Sequence, residues 1–255
     1  MDWVVLFCAG LFGGVLNSVA GGGSFITFPA LLWFGLPPIT ANATNTFAAC
    51  AGYISGAWGF RRDITSQPSK VISIAIFSLL GGALGAWLLL NVSESLFVEA
   101  IPWLLLFATL LFLLGEKVRA IANIIASSSV SSKSVATVAL TLCLVLVSAY
   151  GGFFNAGLGV IVLSYLVIAG FSDIHQMNGL KLLISTCVSL SAIALFLWQG
   201  AINWQAGSVV LLGTITGGYL AATVSRSLSQ RTVKRFVALS SLCMTCYFFV
   251  DVYAV

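Results

Sequence analysis

Apolar runs alternate with short polar interruptions along the whole chain. The apolar stretches lie at about 3–20, 24–36, 41–60, 70–91, 96–115, 135–154, 158–171, 174–198, 204–225 and 231–250. A membrane-spanning helix needs about 20 apolar residues, and the longer stretches meet that length. Two of them, 24–36 and 158–171, are too short to cross and match re-entrant or half-membrane helices. The longest polar stretch, 116–134, carries Glu116, Lys117, Arg119 and a serine-rich run ending near Lys133, and reads as a linker between two halves.

Composition sharpens this pattern. The chain is 60% apolar and 7% charged, whereas soluble domains are about 25% charged. So few charges cannot cover a water-facing surface, so lipid must cover much of this one. The net charge of +4 comes from bases confined to a few loops. They are topology signals, and no nucleic-acid patch is expected. Trp3, Trp58, Trp103, Trp198 and Trp204 fall near segment ends, as interfacial aromatic belts do.

The two halves resemble each other. Gly13-Gly14-Val15-Leu16-Asn17 matches Gly151-Gly152-Phe153-Phe154-Asn155, Gly35 to Ile39 aligns with Gly170 to Ile174, and Gly81-Gly82 aligns with Gly217-Gly218. The order is kept at a nearly constant offset, which points to a duplicated unit. Many transporters are built this way and bind substrate at the repeat interface. In each half the first apolar stretch is broken by glycines, at Gly21-Gly22-Gly23 and around Gly157-Leu158-Gly159.

If each break is a hairpin returning to its own side, the loops at 61–70, 116–134 and 226–235 share one face. That face then holds Arg61, Arg62, Lys70, Lys117, Arg119, Lys133, Arg226, Arg231, Lys234 and Arg235, while the other holds Asp2, Glu94, Glu99 and Asp251. If each broken stretch crosses once, the ten bases split six to four. The positive-inside rule prefers the hairpins and puts both termini outside the cytoplasm. The expected fold is an all-α integral membrane protein of two inverted repeats, each a glycine-broken helical hairpin plus three spanning helices. Residues 1–115 and 135–255 form the repeats, and 116–134 is a cytoplasmic linker.

Candidate chemistry concentrates at the breaks. Three successive glycines each cost a helix about 1 kcal/mol relative to Ala. A broken helix exposes backbone groups tolerated only against protein or water. Helix N-termini at about Ser24 and Val160 would favour an anion. The candidate binding residues there are Asn17, Ser18, Gly22, Gly23, Ser24 and Asn155; close helix packing is the other role open to such glycines. For Gly81-Gly82 and Gly217-Gly218 packing is the preferred role.

A second polar cluster opens the helix after each break. It comprises Asn42, Thr44 and Asn45 in one half and Asn178 and Lys181 in the other. Buried amides must face a cavity or one another, so helix–helix hydrogen bonding is the competing role. Lys181 is the only base deep inside an apolar segment, about two turns or roughly 12 Å into its helix. It either makes the site electropositive or snorkels to the interface. His175 starts this helix beside Asp173, a candidate N-cap. No Asp or Glu lies deep in any segment, which disfavours a carboxylate proton relay. No P-loop, zinc-binding or nucleophile-elbow motif is present, so neither an ATP motor nor an enzyme is expected, and no cofactor or metal. A coupling ion, H+ or Na+, and a homodimeric state stay open.

The order of these motifs resembles the sulfite exporter TauE/SafE family. The first half carries Gly13-Gly14, Asn17, Gly21-Gly22-Gly23, Pro29, Gly35-Leu36-Pro37 and Ala41-Asn42-Ala43-Thr44. The second carries Gly151-Gly152, Gly157, Gly159, Asn178-Gly179-Leu180-Lys181 and Gly200-Ala201-Ile202. The resemblance covers almost the whole chain, although the second half lacks a triple glycine. It implies an inner-membrane permease exporting sulfite, an organosulfonate or a related sulfur-containing anion. An anion or small-solute channel is the alternative.

Overall fold

The computed structural model of the chain describes residues 2–19, 22–64, 68–114, 117, 120, 133–224 and 230–253. The expected linker at 116–134 lies almost wholly outside the described residues, as do residues 226–229 of the expected basic loop at 226–235. Every regular element among the described residues is helical. They are α1 (Asp2–Val19), α2 (Ser24–Trp33), α3 (Pro38–Gly59), α4 (Arg61–Ile64), α5 (Pro68–Asn91) and α6 (Glu94–Leu113) in the first half. The second half holds α7 (Lys133–Phe153), α8 (Leu158–Ile168), α9 (Ile174–Trp198), α10 (Trp204–Val224) and α11 (Gln230–Tyr253).

Four of these helices, at Lys70–Asn91, Glu94–Leu113, Val135–Phe153 and Ile174–Trp198, are long and apolar enough to cross a membrane. The outer surface is correspondingly oily: Val4, Phe12, Ile72, Leu80, Leu142, Leu146 and Leu239 are all exposed. So large an apolar surface marks contact with lipid or partners rather than water. The tryptophans at the segment ends, Trp58 and Trp198 among them, are exposed as well.

Both breaks are present, and both make hairpins. In the first, α2 folds back on α1. Gly13 meets Thr27 and Gly23, and the rings of Trp3 and Phe34 lie 4.8 Å apart, so α2 ends where α1 begins. In the second, Gly151 faces Leu158 at the turn, and Leu144 and Val147 share a buried cluster with Val162 and Tyr165. Residues 154–157 form this break, with Gly157 at φ 78°. The second turn therefore needs one glycine in the left-handed region rather than three in a row.

Helix α3 connects the ends of the molecule. It starts beside the end of α2, and its far end meets the start of α9. There Phe60 stacks on His175 at 6.4 Å, and Gly56 faces Leu182. Helix α9 is capped by Asp173, whose Oδ1 accepts from the Gln176 N–H at 2.7 Å, as the sequence suggested.

The packing between halves is reciprocal. α1 packs along α10 and α5 along α7; α9 packs on α5 and α10 on α3; α3 packs on α9 and α6 on α11. Exchanging α1 with α7, α3 with α9, α5 with α10 and α6 with α11 maps each contact onto another in the set or onto itself. Thr109 and Thr245, 136 residues apart, hydrogen-bond directly at 3.1 Å on α6 and α11. The glycine pairs make close approaches. A Cβ on Gly152 would lie 2.1 Å from the Gly82 carbonyl oxygen, and one on Gly14 would lie 2.9 Å from the Gly218 nitrogen. Without a hydrophobic drive between helices in lipid, this kind of small-residue contact brings backbones together.

Candidate functional site

The breaks leave helix ends that need partners. The first turn of a helix has N–H groups with no acceptor inside the helix. Gly23 caps α2 and Gly157 caps α8, and neither offers a capping side chain. Asn17 supplies part of what is missing: its Oδ1 accepts from the Gly23 N–H at 3.2 Å. Thr27, one turn into α2, donates to the Gly23 carbonyl at 3.2 Å and also to Asn45 Oδ1. The other end of the Asn45 amide donates to Ser24 Oγ at 3.2 Å. One buried amide on α3 therefore pins the start of α2, with both its polar atoms used.

Tyr53, some two turns further along α3, reaches the other break. Its hydroxyl donates to Asn155 Oδ1 at 2.8 Å, and it lies close to the side chains of Asn17 and Ser24. Asn155 in turn donates to Ser189 Oγ on α9 at 3.4 Å. Asn45, Asn155 and Ser189 are almost wholly excluded from solvent. Asn17, Ser24, Thr27, Asn45, Tyr53, Asn155 and Ser189 thus form one polar cluster between the two hairpin turns.

The other candidates fall outside that cluster. Asn42 donates to the carbonyl of Phe153 at 2.9 Å and so closes the orphan C-terminus of α7 at the second break. Thr44 turns to the other side of α3 and accepts from the Asn203 N–H at 3.0 Å, holding the approach to α10. Gly22 accepts from Phe25 N at 3.2 Å in the first turn of α2. The side chain of Ser18 lies outside the described residues. Asn178 and Lys181 bond to each other, Nζ to Oδ1 at 3.4 Å, near the start of α9. Gly179 beside them touches Phe60 and Ile64.

Sequence reasoning missed Thr27, Tyr53 and Ser189. Tyr53 lies three turns beyond Asn42 on the polar face of α3, so extending that stripe would have reached it.

The second turn gives a direct test of the break itself. Gly157 sits at φ 78°, and a Cβ there would lie 2.7 Å from the Cβ of Ala108. Gly170 has φ 87° with open space around it. The left-handed conformation alone costs a non-glycine residue about 1–2 kcal/mol. Gly170→Ala should lose about that much and Gly157→Ala clearly more, read as apparent melting temperature in mild detergent. Equal losses would mean that the contact with α6 exerts no constraint.

The family model "Sulfite exporter TauE/SafE" matches residues 6–248. A "Probable membrane transporter protein" of Haemophilus influenzae is 31% identical over 244 residues, covering 94% of this chain and 92% of that protein. The "Probable membrane transporter protein YfcA" of Escherichia coli (strain K12) is 28% identical over 246 residues, covering 94% and 87%. The "Probable membrane transporter protein ORF9" of a Sinorhizobium species is 28% identical over 242 residues, covering 94% and 89%. No solved structure matches the chain. The chain belongs to the sulfite exporter TauE/SafE family.

Proposed function

We propose that the protein is a multi-pass secondary transporter of the inner membrane that exports a small sulfur-containing anion, sulfite or an organosulfonate, and that it is not an enzyme. The observation that carries this is the polar cluster between two hairpin turns, with two glycine-capped helix N-termini beside it. Helix N-termini favour anions through their dipole and free N–H groups. Binding sites at a repeat interface made of broken helices are a recurring transporter design.

The reciprocal packing, the hairpins entering from the two ends of α3, and the Thr109–Thr245 contact support two inverted repeats at 1–115 and 135–255. A rocking motion of one repeat on the other would then open the cluster to each side in turn. Asn17, Gly22, Gly23, Ser24, Asn45 and Asn155 would contact the anion, with Ser18 as a further candidate at the same turn. Asn42 and Thr44 would brace the helices around it. A coupling H+ or Na+ would be held by hydroxyls, amides and backbone carbonyls. Exposed Arg61, Arg62 and Lys70 on one side support termini outside the cytoplasm.

Counterflow in proteoliposomes loaded with sulfite or an organosulfonate anion is the test. Saturable exchange supports the transporter, ion conductance without saturation supports a channel, and no flux of any sulfur anion removes the substrate assignment. Reporter fusions at both ends should read non-cytoplasmic.

A further inference from the structure

The polar cluster is deeply buried, so an anion needs a route to it. One face of α9 supplies a candidate. Asn178, Lys181, Ser185 and Ser189 follow at spacings of three, four and four, which keeps them on one helical face. Ser185 and Ser189 are buried, and Asn178 and Lys181 are half-buried at the end nearer the surface. Ser189 already accepts from Asn155 of the central cluster. Lys181 and Ser189 are eight residues apart, or about 12 Å along the helix. Lys181 is thus too far along α9 to belong to the cluster at Asn155, yet it stands on the face that leads there.

We propose that Lys181 and Asn178 form a separate outer anion station, from which Ser185 and Ser189 pass a small anion to the central cluster. This rests on the function proposed above. The surroundings suit the role: α4, with Arg61 and Arg62, packs against α9, and Asp63 and the N-cap Asp173, which is engaged with the Gln176 N–H, are the acidic neighbours there. The equivalent face of α3, displaced by the 136-residue offset that relates Thr109 to Thr245, reads Asn42, Asn45, Ala49 and Tyr53. It carries no charge, so the station exists in one half only. The route is electropositive from the α4 side and uncharged from the other, which makes the duplicated protein asymmetric in how it gathers its anion.

The test uses charged thiol reagents on Ser185→Cys in the full chain with its six native cysteines replaced by Ala. A negatively charged methanethiosulfonate added from the α4 side should label this position at least about fivefold faster than a positively charged one, the order expected of one lysine charge at this range. Lys181→Gln should abolish the preference and Lys181→Arg restore it. Equal rates for the two reagents, or labelling only from the opposite side, would overturn the station.

Should the cysteine-free protein not fold, counterflow by the native-cysteine chain decides. Lys181→Gln should raise KM about tenfold with kcat within twofold, and unchanged KM rejects the proposal. Labelling does not depend on the transported substrate, so a wild type that moves no sulfur anion removes the proposed substrate and leaves the station separately testable.

Discussion

A single methyl group added at Gly217 or at Gly85 is expected to destabilise the fold more than an alanine at any other glycine whose surroundings are described. A Cβ on Gly217 would lie 1.9 Å from the carbonyl oxygen of Leu11, and one on Gly85 would lie 1.9 Å from that of Ala149. The atoms in the way are backbone, so no rotamer change relieves the clash, and α1 must part from α10 or α5 from α7. These are the two most extensive seams between the halves. Overpacking commonly costs about 1–3 kcal/mol, and Gly217→Ala and Gly85→Ala should sit at or above the top of that range. The readout is apparent melting temperature and the yield of monodisperse protein in mild detergent, with a fall of several degrees expected. Gly52→Ala and Gly59→Ala serve as controls, because nothing lies within 4 Å of a Cβ at either position. Alanine is the better helix former by about 1 kcal/mol, so both should match or exceed wild type. A wild-type melting point for Gly217→Ala would mean that α1 and α10 are not held at this distance.

What the sequence disclosed and what it concealed follow from how local each cause is. The break at Gly21-Gly22-Gly23 was legible because three glycines undo a helix wherever they stand. The break at 154–157 was harder to place, since it depends on Gly157 alone taking a left-handed conformation. Asp173 announced its capping role because a cap acts within three residues. The packing of Gly14 on α10 and Gly152 on Gly82 could be anticipated as a type of contact. Its partners could not, because they lie far away in the chain. Thr44 and Asn45 are adjacent in sequence, yet the helix points them about 100° apart. One faces the approach to α10, the other the start of α2, and only the packing of three helices decides which of them meets the break. Tyr53 was hidden for a related reason: a tyrosine in an apolar helix looks like an interfacial ring until the amide that its hydroxyl meets is known. That amide, Asn155, is 102 residues away.

Tyr53→Phe is expected to cut transport far more than it cuts stability. The ring and its packing stay, and only the hydroxyl that donates to Asn155 Oδ1 at 2.8 Å is lost. Asn155 is 2% exposed, so its oxygen then has no water to turn to. Leaving a buried acceptor unpaired costs about 1–3 kcal/mol. If that cost falls on the state that holds the anion, counterflow drops by about five- to more than a hundredfold, since 1.36 kcal/mol is tenfold in rate. Asn155→Leu removes the acceptor together with its bond to Ser189 and should lose at least as much. The pair should be non-additive: Tyr53→Phe on top of Asn155→Leu should add little, because the partner is already gone. Asn45→Leu is the comparison within the first turn, where it breaks the links to Thr27 and Ser24; because Tyr53 also lies close to Ser24, its effect should combine with that of Tyr53→Phe less than additively. Wild-type exchange by Tyr53→Phe, or simple additivity with Asn155→Leu, would separate the two hairpin turns energetically, and the cluster could then no longer act as a single site.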